Sequence, residues 1–307
     1  MPKFSIAKSI VINDSPENVF KTARDFKKWP IWSPWLIAEP ECEVNYSADG
    51  TSYNWDGRIV GSGEMTITGE EATESIDYQL LFLKPWKSES RVRLLFKPTD
   101  QGTEVTWTMD GSLPFFMFWM KKSMIAMIGM DYDRGLKMLK ALIETGANPS
   151  KLEFLGEGSQ PACHYIGVST ECTISEIGPQ VSRDFKKLMD WLKENQTKPT
   201  GPPFTIGHRF DMVTQITQYT ACFPIESQPS SIPEGFVIGE RLQSPTYAIK
   251  HTGPYHYLGN AWASGMFRTR SKVFAQNKKI DPFEIYENNP DETPENELIA
   301  VVHFPTK

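Results

Sequence analysis

Near the carboxyl end, Asp281-Pro-Phe-Glu-Ile-Tyr-Glu-Asn-Asn-Pro290 places a carboxylate, Glu284, two residues from a phenol, Tyr286. The alternation reads as a short strand, which sends Glu284 and Tyr286 to one face and Phe283 and Ile285 to the other. If the Glu284 face meets water, this is an ordinary half-buried strand. If it lines a cavity, an acid beside an aromatic hydroxyl suits a cationic or electrophilic ligand.

Other titratable residues carry less chemistry. His251 and His256 flank Gly253-Pro254, and five residues across a turn is poor metal-ligand spacing, so packing or capping is expected and no metal. Tyr255, at the start of the helix that follows, is placed to reach a ligand. Asp281-Pro282 is a turn signal, and residues 291–297 read as a solvated acidic loop. Glu240, Arg241, Arg268 and Arg270 read as surface charges. There is no phosphate-cradling glycine motif and no GxSxG elbow, so no cofactor is expected.

A chain of 307 residues exceeds one ordinary core and implies two domains. With 39% hydrophobic and 23% charged residues, the composition is globular. Split after Ala147, the halves carry 17 basic against 20 acidic residues and 15 against 18. Neither has the basic surplus that phosphate-backbone binding needs, so no direct nucleic-acid contact is expected. Cys42, Cys163, Cys172 and Cys222 lack CxxC spacing and read as free thiols in a reducing compartment. No secretory signal opens the sequence, which points to the cytoplasm.

Phe4 to Ile12 alternates like an opening strand, and Ser15-Pro16 is a helix start. Asp25-Phe-Lys-Lys-Trp-Pro-Ile-Trp-Ser-Pro-Trp35 holds three tryptophans that must pack on a core or a cavity rim. From Glu41 to Asp110 short strands and turns form an antiparallel meander. Met117, Met120, Met124, Ile128, Tyr132, Leu136, Leu139 and Ile143 then make the apolar stripe of a long helix. Lys121-Lys122 interrupts its apolar start, so no membrane span is expected.

This order, with the aromatic run Phe26 to Trp35, resembles the helix-grip fold of the START and polyketide-cyclase (SRPBCC) superfamily. The resemblance implies a hydrophobic cavity between sheet and long helix. It supplies no catalytic set in this half.

The second half repeats itself. A strand from Tyr165, Gly178-Pro179, a helix with Val181, Phe185, Leu188 and Leu192, Pro203-Phe-Thr-Ile206 and Cys222-Phe-Pro224 make the first pass. Thr246 to His251, Gly253-Pro254, a helix with Leu258, Trp262, Met266 and Val273, Pro282-Phe-Glu-Ile285 and His303-Phe-Pro305 make the second. Such self-similarity implies two strand-helix-strand-strand units related by a pseudo-twofold, meeting at a groove. Glu284 stands where the first copy has Thr205, a difference that symmetry does not demand.

The repeat and the ending from Phe283 to Pro305 resemble the GyrI-like effector-binding domain, which also forms the sensor half of AraC-type and multidrug-responsive regulators. The resemblance implies that small, often cationic or aromatic compounds bind the groove, with Glu284 as the acidic contact and Tyr286 and Trp262 as walls. In some relatives the same glutamate hydrolyses reactive electrophiles. No helix-turn-helix is visible, which puts direct transcription control in doubt.

The expected fold class is α+β: a helix-grip antiparallel sheet with a long terminal helix over 1–147, a linker over 148–159, and a pseudo-twofold GyrI-like domain over 160–307. The leading functional reading is a cytoplasmic protein that binds or senses a small molecule through Glu284, Tyr286, Trp262 and Tyr255. One alternative is a hydrolase of electrophiles with Glu284 as catalytic acid or base, its pKa raised by burial. Another is a ligand-sensing partner of a transcription regulator. A protein partner or homo-oligomer stays open.

Overall fold

Alternation over residues 3–112 becomes seven antiparallel strands. A computed structural model describes residues 3–84, 86–229 and 231–307. The chain divides into two units, Met1–Pro149 and Ser150–Lys307.

The strands of the first unit are β1 (Lys3–Ile12), β2 (Glu43–Tyr46), β3 (Ser52–Asp56), β4 (Ser62–Glu71), β5 (Ser75–Lys84), β6 (Ser88–Thr99) and β7 (Gly102–Ser112). They lie in the order β1-β7-β6-β5-β4-β3-β2. The order is that of a meander with the first strand returned to pair with the last. Helix α1 (Pro16–Arg24) starts where expected: the Ser15 hydroxyl accepts the Asn18 N–H, and Pro16 takes the first helical position. The short α2 (Trp29–Trp32) follows, and α3 (Lys121–Thr145) packs along β1 before Gly146 ends it at φ 78°.

Of the three tryptophans in residues 25–35, Trp29 and Trp32 resolve as core, while Trp35 is half-buried, edge-on to Trp107 and Tyr132. Trp29, Trp32 and Trp107 are essentially fully buried, and Trp107 stacks on Tyr132 of α3 with ring centroids 4.0 Å apart. A Cβ on Gly135 would lie 2.8 Å from the Trp107 ring, so glycine lets α3 settle on the indole. Each such aromatic removes a large apolar area from water, about 1.5–3 kcal/mol for a side chain of this kind.

The second unit has β8 (Lys151–Gln160), β9 (Cys163–Thr173), β10 (Phe204–Asp211), β11 (Ile216–Ile225), β12 (Val237–Arg241), β13 (Ser244–Thr252), β14 (Phe283–Tyr286) and β15 (Ile299–Pro305). Its sheet runs β12-β9-β11-β10-β14-β15-β13-β8, so each repeat supplies three neighbouring strands that join at β10 and β14, while β12 edges the first repeat's strands and β8 the second's. Helix α4 (Ile177–Glu194) covers β9 and β11, and α5 (Gly259–Arg270) covers β13 and β15. The central pair β10 and β14 lies between the two helices. Among the described residues, no helix is long and apolar enough to cross a membrane.

Two expectations are corrected. Most of the stretch 148–159, expected as a linker, belongs to β8, the edge strand beside β13. Its glycines suggested a connection; Gly156, at φ 80°, instead sits at the register shift between Ala248 and Ile249. Arg241 and Arg268 are not surface charges. The Arg268 guanidinium lies 3.4 Å from the Phe154 ring centroid, and that of Arg241 lies 4.7 Å and 4.6 Å from Phe204 and Phe283. A planar, weakly hydrated guanidinium tolerates burial on aromatic faces that composition does not reveal.

Candidate functional site

The run Phe283-Glu-Ile-Tyr286 forms β14 as its alternation implies, yet all four side chains are buried. Both faces of the sheet are covered here. Phe283 and Ile285 join Phe204, Ile206 and Cys222 on one side. Glu284 and Tyr286 face the helices on the other.

Register explains the placement of Glu284. It pairs directly with Thr205 on β10, and the flanking pairs are Phe204 with Ile285 and Ile206 with Phe283. The repeat equivalents Thr205 and Glu284 therefore meet on the pseudo-twofold. The Thr205 hydroxyl donates to Glu284 Oε1 at 3.0 Å, and Tyr286 Oη donates to the same oxygen at 2.5 Å. Trp262 Nε1 donates from α5 to Oε2 at 2.5 Å.

Glu284 is only 7% exposed. Burial pushes its carboxyl upward, opposed by the hydrogen bonds from Tyr286, Trp262 and Thr205. Tyr286 is held well above the usual phenol range by burial and by the neighbouring Glu284 charge. Among the described residues, no ion pair involves Glu284. A buried carboxylate surrounded by neutral donors is satisfied in hydrogen bonds but uncompensated in charge.

Aromatic rings wall the carboxylate. Tyr255, on the turn before α5, meets Tyr286 edge-on at 5.2 Å, and its hydroxyl donates to the Asn288 carbonyl at 3.4 Å. Burial and Glu284 push the Tyr255 phenol up to about 12. Phe185, from α4, meets Tyr286 edge-on at 5.4 Å. The structure thus brings Glu284, Tyr286, Trp262 and Tyr255 together and adds Thr205 and Phe185. Phe185 was hidden in an ordinary apolar stripe, and only the Thr205–Glu284 correspondence between repeats hinted at the Thr205 contact.

Trp262 reaches the acid because α5 lies close to the sheet. A Cβ on Gly265 would come within 2.1 Å of the buried Phe304 ring, which itself packs edge-on against Trp262 at 5.5 Å. Small residues on the inner face of α5, Ala261, Ser264 and Gly265, allow this approach.

The histidines lie apart from the carboxylate network. His251 is wholly buried, its Nε2 3.1 Å from the Ser150 hydroxyl. His208, not singled out by sequence, bridges Asp281 and Thr220, with 2.7 Å from Nδ1 to Asp281 Oδ2 and 2.7 Å from Nε2 to Thr220 Oγ1. Thr220 stands opposite Ile206, so this chain lies on the far face of the sheet from Glu284. Asp281 therefore does more than mark a turn.

Fold and site define a two-domain α+β protein whose second unit is a paired-repeat sheet with a buried acid at its centre. Family comparison gives the two halves their places. The family described as polyketide cyclase / dehydrase and lipid transport matches residues 3–144, and the GyrI-like small molecule binding domain matches residues 159–307. The chain is a fusion of an SRPBCC-type domain with a GyrI-like small-molecule-binding domain. Among solved structures, protein MLL2253 from Mesorhizobium loti is 15% identical, with 46% of this chain and 97% of that one covered and a TM-score of 0.37. The EcmrR C-terminal domain is 14% identical, with 52% and 98% covered and a TM-score of 0.41. EcmrR in a DNA complex is 15% identical, with 61% and 65% covered and a TM-score of 0.43. Comparison with curated proteins finds no match.

Proposed function

We propose that the second unit binds or senses a cationic aromatic small molecule in the groove between α4 and α5, with Glu284 as its charge partner. The observation that carries this reading is the buried carboxylate held by three neutral donors, Thr205, Tyr286 and Trp262, with no cation beside it among the described residues. A ligand cation supplies the missing charge, and the rings of Tyr286, Tyr255, Trp262 and Phe185 supply faces and edges for stacking. Its aromatic body gains by leaving water, so the two terms act together.

Calorimetry with tetraphenylphosphonium and its neutral analogue triphenylphosphine oxide tests this reading. The native chain is expected to prefer the cation, and Glu284→Gln to erase the preference while retaining the fold. Equal affinity of the native chain for both compounds would refute the charge role.

The upward-shifted carboxyl also suits general acid–base work on an electrophile. Incubation with an epoxide and recovery of the compounds separates this from simple binding. Intact epoxide favours binding; diol formation that disappears in Glu284→Gln favours hydrolysis.

A further inference from the structure

The first unit buries its tryptophans almost completely at one place and exposes aromatic rings at another. Phe115, Phe118 and Trp119, in the turn leading into α3, are 78%, 61% and 70% exposed. At the β5–β6 turn, Leu83 and Trp86 are 50% and 40% exposed. Register puts these two segments together. Phe82 pairs with Ser88 and Ser90 with Gly111, so the β5–β6 turn and the exit from β7 lie at the same end of neighbouring strands.

Charge is equally biased there. Residues 83–88 and 113–123 contain Lys84, Lys87, Lys121 and Lys122 and no carboxylate, in a chain whose formal net charge is −6. Asp56 approaches Lys84 from β3 at 3.1 Å, and both partners are largely solvated. Beyond the lysines, Met124, Ile125 and Ile128 on the first turns of α3 remain partly exposed and extend the apolar surface.

We propose that this end of the first unit docks on the surface of an anionic lipid bilayer. Tryptophan and phenylalanine seat at the boundary between headgroups and acyl chains, where an aromatic body meets apolar surroundings and the indole N–H still finds a partner. The lysines lie along the same edge, where their stems cover apolar surface and their ammonium groups reach lipid phosphates. A second copy of the chain is a poorer occupant. A twofold interface centred on this patch would set Lys121 and Lys122 against their own copies with no carboxylate in residues 113–123 to answer them. The docking is peripheral, for no helix among the described residues is long and apolar enough to span.

Flotation of the full chain with vesicles of phosphatidylcholine, with and without phosphatidylglycerol, tests the proposal. The chain is expected to float with the anionic vesicles and to be released by high salt. The double variant Lys121→Gln/Lys122→Gln should lower the partition coefficient roughly thirty-fold, from the usual attraction of two basic side chains to an anionic surface. The double variant Phe115→Ser/Trp119→Ser should abolish flotation with an unchanged thermal midpoint, since both rings lie outside the core. Failure of the native chain to float with either vesicle overturns the proposal, as does flotation that neither double variant changes. A dimeric mass that becomes monomeric in Phe115→Ser/Trp119→Ser, without vesicle binding by the native chain, assigns the patch to self-association instead.

Discussion

Thr205 and Glu284, equivalent positions in the two repeats, face each other across the central strand pair, with the Thr205 hydroxyl 3.0 Å from the Glu284 carboxylate. An approximately symmetric fold places one asymmetric pair on its own axis. Because both helices flank that axis, a single acid there can be shared by walls from both repeats. The relation also makes Thr205 a regulator of Glu284's charge. Thr205→Val removes a donor that favours the ionised form, at a stability cost of about 1 kcal/mol. Glu284 should then ionise at higher pH, and the pH at which tetraphenylphosphonium binding reaches half its maximum should rise, as calorimetry across pH would record.

Glu284 should destabilise the fold as it ionises. Its folded-state pKa lies above the ordinary 4.5, so its contribution is most favourable below that value and is lost as pH rises toward the shifted pKa. Glu284→Gln lacks this loss. In urea unfolding, the stability of Glu284→Gln relative to the native chain should climb as pH rises from 4.5. A difference independent of pH would contradict a buried, upward-shifted acid.

Two histidines give the opposite slope. Burial holds His251 near 4, with the nearby His256 adding to the effect; burial and then Arg241 hold His303 near 4 as well. Both are neutral in the fold, so the stability they contribute is complete above the ordinary 6.5 and is lost as pH falls from there toward 4. Each accounts for roughly 3 kcal/mol over that window. His303→Gln should flatten the acid limb of a stability–pH curve by about that amount, apart from a pH-independent cost of repacking beside Phe283, on which the imidazole stacks at 4.9 Å.

Glycines in the two helices should respond differently to alanine. Gly265→Ala drives a methyl into Phe304 and should cost about 1–3 kcal/mol, and by lifting α5 it should also weaken cation binding through Trp262. At Gly178, in the first turn of α4, nothing lies within 4 Å of an added Cβ. Gly178→Ala should leave binding unchanged and be neutral or slightly stabilising. Thermal unfolding and calorimetry on the two variants make the comparison.

In the first unit, Trp107→Ala should cost about 3–5 kcal/mol, since the indole is buried and stacked on Tyr132. Near-ultraviolet circular dichroism should lose the signal of the coupled rings. An unchanged spectrum would deny the cluster its role in the core.

Local periodicity determined much of this protein. Alternation in Phe283-Glu-Ile-Tyr286 specified a strand with Glu284 and Tyr286 on one face, and the spacing from Met117 to Ile143 specified the long helix. Duplication of Pro203-Phe-Thr-Ile206 in Pro282-Phe-Glu-Ile285 specified paired units and marked the acid as the odd member. What lies opposite a face is different information, because it depends on contacts between residues distant in sequence. Trp262 Nε1 lies against Glu284, and Phe185 against Tyr286, only because α4 and α5 straddle the β10–β14 pair. The same holds for Arg268, buried on Phe154, and for residues 151–160, whose backbone groups find partners on β13. Charge and glycine content marked those segments as surface and linker, while packing and strand pairing placed them within the second unit.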